Sequence, residues 1–358
     1  MGSCQSSQQQ LQTVDTNTVN TALPSPPGLD DTATVNLDKV VKATRPWKIV
    51  FVSQDGPKGH ENITAQDCPE IVWCHMWQTA TETGKNLGVE TELAYVKDDC
   101  SNEEECIRQQ IQLLSDLITR DDIDGIIIGP RDSNQLVPVI EKAIAANVAV
   151  IAVGTPINSQ QVLTLVSFND FEGGKAIGQW VSKQLNGKGN VLIIEGPKYQ
   201  KNALDRRHGF VAGLKGLTIL DTETALWTCE KAQSISQQWL DKFPQIDAII
   251  AASDHMAMGA LIATQTAQRD DILITGYDAI PLARAAIAEG ALSATAAQFP
   301  TTTTSTAMQL MVRHLETAET FPNVVYLPTP KILSKDTMTA KSDEPLVEFE
   351  PGSLSCNF

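Results

Sequence analysis

The sequence predicts an α/β protein of two lobes, each a Rossmann-like parallel sheet flanked by helices. Three observations predict it. The chain has 358 residues, too many for one ordinary domain and suited to two. From Trp47 onward, short β-branched runs alternate with stretches of helical apolar spacing. Near residue 170 the alternation restarts, so a second sheet follows the first.

The elements follow in order. Lys48 to Val52 reads as a buried strand by length and composition. Trp73, Met76, Trp77, Ala80 and Gly84 recur at helical spacing, and Leu93 to Val96 is a second strand. Ile107, Ile111, Leu114 and Ile118 line one face of the next helix. Gly125 to Pro130 is a strand ended by a turn. Asp132 or Ser133 is then placed to cap the helix carrying Leu136, Val139, Ile140 and Ala143. Val148 to Val153 completes this half. Right-handed helical crossovers between parallel strands account for the order. In the second half, Ile177, Trp180, Val181 and Leu185 mark a helix, and Asn190 to Glu195 a strand. A helix around Arg206 to Leu214 follows, then strands at Ala248–Ala252 and Ile272–Gly276. Ligands of open α/β sheets bind beyond the strand carboxyl ends, which directs attention to the residues after each strand.

Composition narrows the function. Hydrophobic residues are 42% of the chain, enough for real cores. The net charge of −16 and the pI of about 4.7 repel phosphate backbones, so nucleic-acid binding is not expected. No window approaches the roughly 20 apolar residues of a membrane span. Seven cysteines occur without a CxxC pair, which gives no support to a zinc or thioredoxin-like motif. Cys68 and Cys74, and Cys100 and Cys106, are each six residues apart. They are candidate disulfides if the chain is exported, with free buried thiols as the alternative.

Residues 1–45 read as a disordered tether. Ser6 to Asn36 is rich in Gln, Ser, Thr, Asn and Pro and cannot offset its ordering entropy by burial. The tail at 341–358 looks alike. Cys4 heads the tether after Gly2-Ser3, as a lipidated cysteine does in a mature bacterial lipoprotein. An N-myristoylation pattern with a palmitoylated cysteine and an unmodified leftover thiol are the alternatives.

Several segments, in order, resemble the type I periplasmic binding proteins. They are Asp124 to Pro130, Asn169 to Gly174, Asp205 to Phe210, Ala252 to Ala260, Gly276 to Asp278 and Ala294 to Pro300. The resemblance is to the branch of ribose- and galactose-binding proteins, which also supplies the sensor domains of LacI-type repressors. It covers about residues 47 to 340. It implies lobe 1 at 46–167 plus 299–327, lobe 2 at 168–298 plus 328–340, and a hinge of several crossing strands. No helix-turn-helix precedes it, which argues against a repressor.

The resemblance also implies site residues. Sugars are held by aromatic faces and planar polar groups. Trp227 falls where the family stacks a ring on its ligand. Trp73 and Trp77 lie near its other ring platform, with core packing as the alternative. Asp278 and Gln298 match polar contacts after late strands, with a helix cap the rival role for Asp278. Ser253 stands where sugar binders have Asn, and Asp254 is read as a helix cap. The chain departs from ribose binders at Gly129, at Gly154-Thr155 and at Leu204, so Gln54, Arg131, Thr155 and Asn202 become candidates to complete the site. An extra loop, Asp55 to Glu70, follows the first strand. His60, His75, Cys68 and Cys74 nearby match no established metal spacing, and no metal or cofactor is expected.

The resemblance implies an exported receptor, in the periplasm or on the cell surface, that is monomeric and meets the membrane only through a lipid. Its ligand would be a monosaccharide or polyol, with a less hydroxylated molecule as the alternative. Its partner would be the permease of an ABC importer, or else a membrane histidine kinase or chemoreceptor. An enzyme is not expected. The chain lacks G-x-S-x-G, H-E-x-x-H, a P-loop and G-x-G-x-x-G, and its five histidines are scattered.

Overall fold

The structure, a computed structural model, describes residues 35–54, 72–96, 100, 102–338 and 354–356, with side chains from Cys74 onward in the segment that starts at 72. The Cys4 anchor, Cys68 and the 55–70 loop therefore lie outside the described residues.

Two six-stranded sheets are present, as the expected fold class requires. The first holds β1 (Lys48–Ser53), β2 (Glu90–Tyr95), β3 (Gly125–Ile128), β4 (Ala149–Val153), β5 (Thr164–Ser167) and β11 (Val324–Tyr326). Their order is β11-β5-β4-β3-β1-β2, and every pairing is parallel. Parallel strands covered on both faces need continuous apolar runs. Ile49, Val50, Phe51 and Val52 are all 0% exposed. β2 is the edge strand and is largely half-exposed, so Glu90 and Glu92 are tolerated in it. That is why it begins three residues before the expected Leu93.

The second sheet holds β6 (Asn190–Glu195), β7 (Thr218–Thr224), β8 (Ala248–Ala251), β9 (Leu273–Tyr277), β10 (Ala294–Ala297) and β12 (Lys331–Ser334). Its order is β12-β10-β9-β8-β6-β7, with β12 antiparallel to β10. The chain passes between the two sheets three times: from β5 into α4 (Asp170–Gln184), from β10 into α9 (Pro300–Thr317), and from β11 to β12.

Helices cover both sheets. On one face of the first sheet, α1 (Val72–Leu87) and α9 supply Met76, Ala80, Met308 and Met311 to a shared core. On its other face, α2 (Glu103–Ile118) and α3 (Val137–Ala145) bury Ile107, Leu114, Val139 and Ile140. In the second lobe, α4 and α5 (Lys201–Gly213) touch at backbone level through glycines. A Cβ on Gly213 would lie 2.3 Å from the Lys175 carbonyl oxygen. α6 (Cys229–Lys242), α7 (Asp254–Thr266) and α8 (Pro281–Glu289) complete the second lobe. No helix among the described residues is long and apolar enough to cross a membrane.

Several local expectations are corrected. Residues 35–45 lie against lobe 1 rather than free of it. Val35, Leu37 and Ala43 pack on its core, and Arg313 donates to the Asn36 carbonyl at 2.8 Å. α3 has no side-chain cap. Asp132 instead accepts from the Asn134 and Gln135 amides, each at 2.7 Å, and so caps the turn before the helix. Ser253, not Asp254, caps α7, accepting from the Met256 amide.

Candidate functional site

The strand carboxyl ends of both sheets line one cleft. On the lobe 1 side, Gln54 follows β1, Arg131 follows β3, Thr155 follows β4 and Phe168 follows β5. On the lobe 2 side, Gln200 and Asn202 follow β6 and Trp227 follows β7. Ser253 and His255 follow β8, Asp278 follows β9 and Gln298 follows β10. The cleft measures about 660 Å3, within the range of small-molecule sites.

The lobe 1 wall is held by a buried polar web. The Arg131 Nε donates to the Gln54 carbonyl at 3.0 Å, and its Nη1 meets the Glu103 carboxylate at 3.0 Å. The Gln54 amide donates to the Pro130 carbonyl at 2.8 Å. Gln110, 0% exposed, accepts from the Arg131 amide at 2.8 Å and donates to the Gly129 carbonyl at 3.0 Å. Every turn after β1 and β3 is thus fixed by a neighbour.

The lobe 2 wall centres on Arg206, 4% exposed. It donates to Asp170 at 2.8 Å, to the Ala252 carbonyl at 2.7 Å and to Asp278 at 3.2 Å. Its guanidinium also lies 3.9 Å from the centre of the Tyr277 ring. Gln298 donates to the same Asp278 oxygen at 2.8 Å. Burial would weaken the Arg206 charge, but Asp278 and Asp170 more than offset this and hold it protonated. Burial pushes the Asp170 carboxyl up to about 6 despite Arg206. Asp278 is raised for the same reason, with Arg206 and His255 opposing. Asp254, fully buried, is raised well above the carboxylate range by burial and by Asp278. It accepts from Thr295 at 2.7 Å and from the Ile280 amide at 2.8 Å. Burial holds His255 below its ordinary value.

The Gln200 side chain joins the walls. The Gln200 amide, 2% exposed, donates to the Arg131 carbonyl across the cleft at 2.9 Å and accepts from the Trp227 ring nitrogen at 2.7 Å. The ring lies over Gly196, where a Cβ would be 2.3 Å from it.

The backbone is strained at the same loops. Among described non-glycine residues with positive φ, Asn147, Asn186, Gln268 and Ala318 sit at helix ends. The rest are Leu226 and Trp227 (φ 51° and 67°) and Asp278 and Ala279 (φ 109° and 59°), in the loops after β7 and β9. Such conformations cost about 1–3 kcal/mol each and cluster at ligand clamps.

The family of periplasmic binding protein domains matches residues 66–319. The chain belongs to the periplasmic binding protein family. The D-ribose/D-allose-binding protein of Pseudomonas aeruginosa is 30% identical over 199 residues, which is 53% of this chain and 62% of that protein. The ribose import binding protein RbsB of Escherichia coli is 30% identical over 178 residues, 49% of this chain and 60% of that protein. These matches span about three fifths of the relatives' lengths. Among solved structures, an ABC transporter solute binding protein from Mycobacterium smegmatis with bound glycerol has a TM-score of 0.73 at 25% identity, covering 86% of this chain and 100% of that one. A periplasmic solute binding protein from Actinobacillus succinogenes with bound D-allose has a TM-score of 0.71 at 25% identity, covering 82% of this chain and 98% of that one. The Pseudomonas aeruginosa and Escherichia coli relatives are both named as ribose-binding proteins.

In this binding protein Gln54, Arg131, Thr155, Asn202, Trp227, Ser253, Asp278 and Gln298 all line the cleft. One expected ring differs. Trp77 packs against the lobe 1 core, and Met76, one position earlier on α1, lines the cleft instead. The Trp73 side chain lies outside the described residues. Asp278 caps no helix, since α8 is entered through Ile280. Of the expected disulfides, Cys100–Cys106 is formed and Cys74 is disulfide-bonded. Among the described residues no group of three or more His, Cys, Asp or Glu could hold a metal ion.

Sequence reasoning missed Gln200 and did not name Arg206 as a site residue. It also missed the Cys229–Cys356 disulfide. The cysteine count held the signal for the last. With Cys4 and the two close pairs set aside, Cys229 and Cys356 are what remain. No comparable signal marks Gln200, one of several polar residues at a helix start.

Proposed function

We propose that this chain captures a small neutral polyhydroxylated solute, a monosaccharide or polyol, and presents it to the permease of an ABC importer. The observation that carries the reading is the convergence of fixed planar polar groups beside one aromatic face. Asp278, Gln298, Arg206 and Asn202 offer donors and acceptors on planar groups, and Trp227 offers a ring. Arg206, Asp278 and Gln298 are anchored to one another or to neighbours. The Asn202 Oδ1 is buried without a hydrogen-bond partner among the described residues, as a group awaiting a hydroxyl donor would be. The sugars named for its relatives support the same class. Closure about the three crossings would convert capture into a docking signal. The protein would act as a monomer outside the cytoplasmic membrane, held by a lipid on Cys4, and intact mass of the membrane-extracted protein would reveal that lipid.

A thermal-shift panel of D-ribose, D-allose, xylitol, glycerol and myo-inositol tests the reading. A ligand at a hundredfold excess over its Kd adds about 2.7 kcal/mol, or roughly 4 °C for a chain of this size. At least one polyol should reach that shift, while a dicarboxylate should give none. A panel with no shift would reject the reading. In the same assay Gly196→Ala is expected to keep its fold and lose about tenfold in affinity, because the new methyl displaces the Trp227 ring. Full affinity in that variant would show that ring placement does not matter.

A further inference from the structure

One disulfide joins the far end of the chain to the cleft. Cys356 lies 127 residues beyond Cys229, and their Cα atoms are 5.5 Å apart. Cys229 opens α6, two positions after Trp227. Its carbonyl meets α7 at Gly259, where a Cβ would lie 2.3 Å away, so this end of the bridge is held at backbone contact. At the other end, Leu354 packs on the lobe 2 core. Cys356 itself lines the cleft, together with Cys229, Trp227 and His255.

The bridge therefore does more than fasten a terminus. It fixes a short piece of chain at the rim next to the Trp227 ring. The two residues before Cys229's cap, Leu226 and Trp227, hold left-handed backbone angles, and the bridge restrains this loop from its helical side. A wall held covalently stays in place when the lobes part, so it limits the guest in every state of the cycle. The Cys100–Cys106 disulfide lines the same cleft from lobe 1.

We propose that Cys356, pinned by the Cys229–Cys356 disulfide and backed by Leu354 on the lobe 2 core, forms a specificity-determining wall of the ligand cleft that limits the guest to a single sugar ring beside Trp227. This rests on the solute-binding reading of the same cleft.

Three proteins test it: the full chain, the double variant Cys229→Ser/Cys356→Ser, and Cys229→Ser in a chain ended after residue 353. Calorimetry measures D-ribose, D-allose, xylitol and the disaccharide maltose against each, after thermal melting has confirmed folding. The full chain should bind one of the three smaller probes and reject maltose. Both variants should bind that probe about tenfold more weakly. The shortened chain should narrow the gap between that probe and maltose by a further factor of about ten. If the shortened chain does not fold, the double variant carries the test through its affinity loss alone. Unchanged affinities and unchanged rejection of maltose in the folded variants would overturn the wall while leaving the solute-binding reading intact. A full chain that binds none of the probes would overturn both.

Discussion

Replacing Arg206 with leucine is expected to destabilise the protein by about 3–5 kcal/mol at neutral pH, the cost of breaking a buried charge network from one side. Arg206 is the cation shared by Asp170 and Asp278, at 2.8 and 3.2 Å, and it also satisfies the Ala252 carbonyl. Leucine fills part of the space over Tyr277 but leaves two carboxyls with less to pair with. The loss should depend on pH. With Arg206 present, Asp170 sits at about 6. Without it, the folded-state values of Asp170 and Asp278 climb further, while the unfolded values stay ordinary. A carboxyl raised in the folded state contributes stability at low pH that is lost as the pH rises through its folded value. Below about 6 the Asp170 carboxyl is protonated in both proteins, and the electrostatic deficit is small. Above 6 it ionises beside Arg206 in the parent but not in the variant, and the deficit opens. Urea unfolding at pH 5 and pH 7.5 should show the gap widening with pH. A gap independent of pH would mean that packing, not charge, is what Arg206 supplies.

Trp227→Ala is expected to lower ligand affinity by about a hundredfold or more, the effect of removing a buried aromatic anchor. Two losses combine. The ring face disappears from above Gly196, and the Gln200 amide loses the donor that orients it toward Arg131 on the other lobe. The unliganded protein should melt within a few degrees of the parent, because Trp227 is half-buried at the edge of the core rather than inside it. Trp227→Phe separates the two losses, since it keeps a face and removes the N–H. Calorimetry with the best polyol of the panel should rank the parent above Phe and Phe above Ala. Equal affinities would remove Trp227 from the site.

What the sequence revealed of the fold follows from burial. β1, β3, β4, β6, β8 and β9 are covered on both faces, so they read as unbroken apolar runs. The edge strands β2 and β7 are largely half-exposed and admit Glu, Asp and Thr, which blurs or hides them. β12 holds its place by pairing with β10, a contact no local pattern encodes.

The cleft was legible where chain order alone marks it, just past each strand end. Asp278 and Ser253, which the family resemblance also implies, are such positions; Trp227 rests on the resemblance alone, because β7 before it is hidden. Whether a helical aromatic faces core or cleft depends on the rotation of its helix, and one step around α1 exchanges Trp77 for Met76. Gln200 acts through a partner on the opposite lobe, Arg131, and such a pairing exists only once both sheets are assembled. The same holds for Cys229 and Cys356, brought together from 127 residues apart.

The most direct measurement is a crystal structure of the protein grown with whichever polyol raises its melting temperature most. The ligand should lie between the lobes, with one face on the Trp227 ring and a hydroxyl on the Asp278 carboxylate. A ligand bound on the outer surface, or within one lobe with neither of these contacts, would contradict capture between two walls.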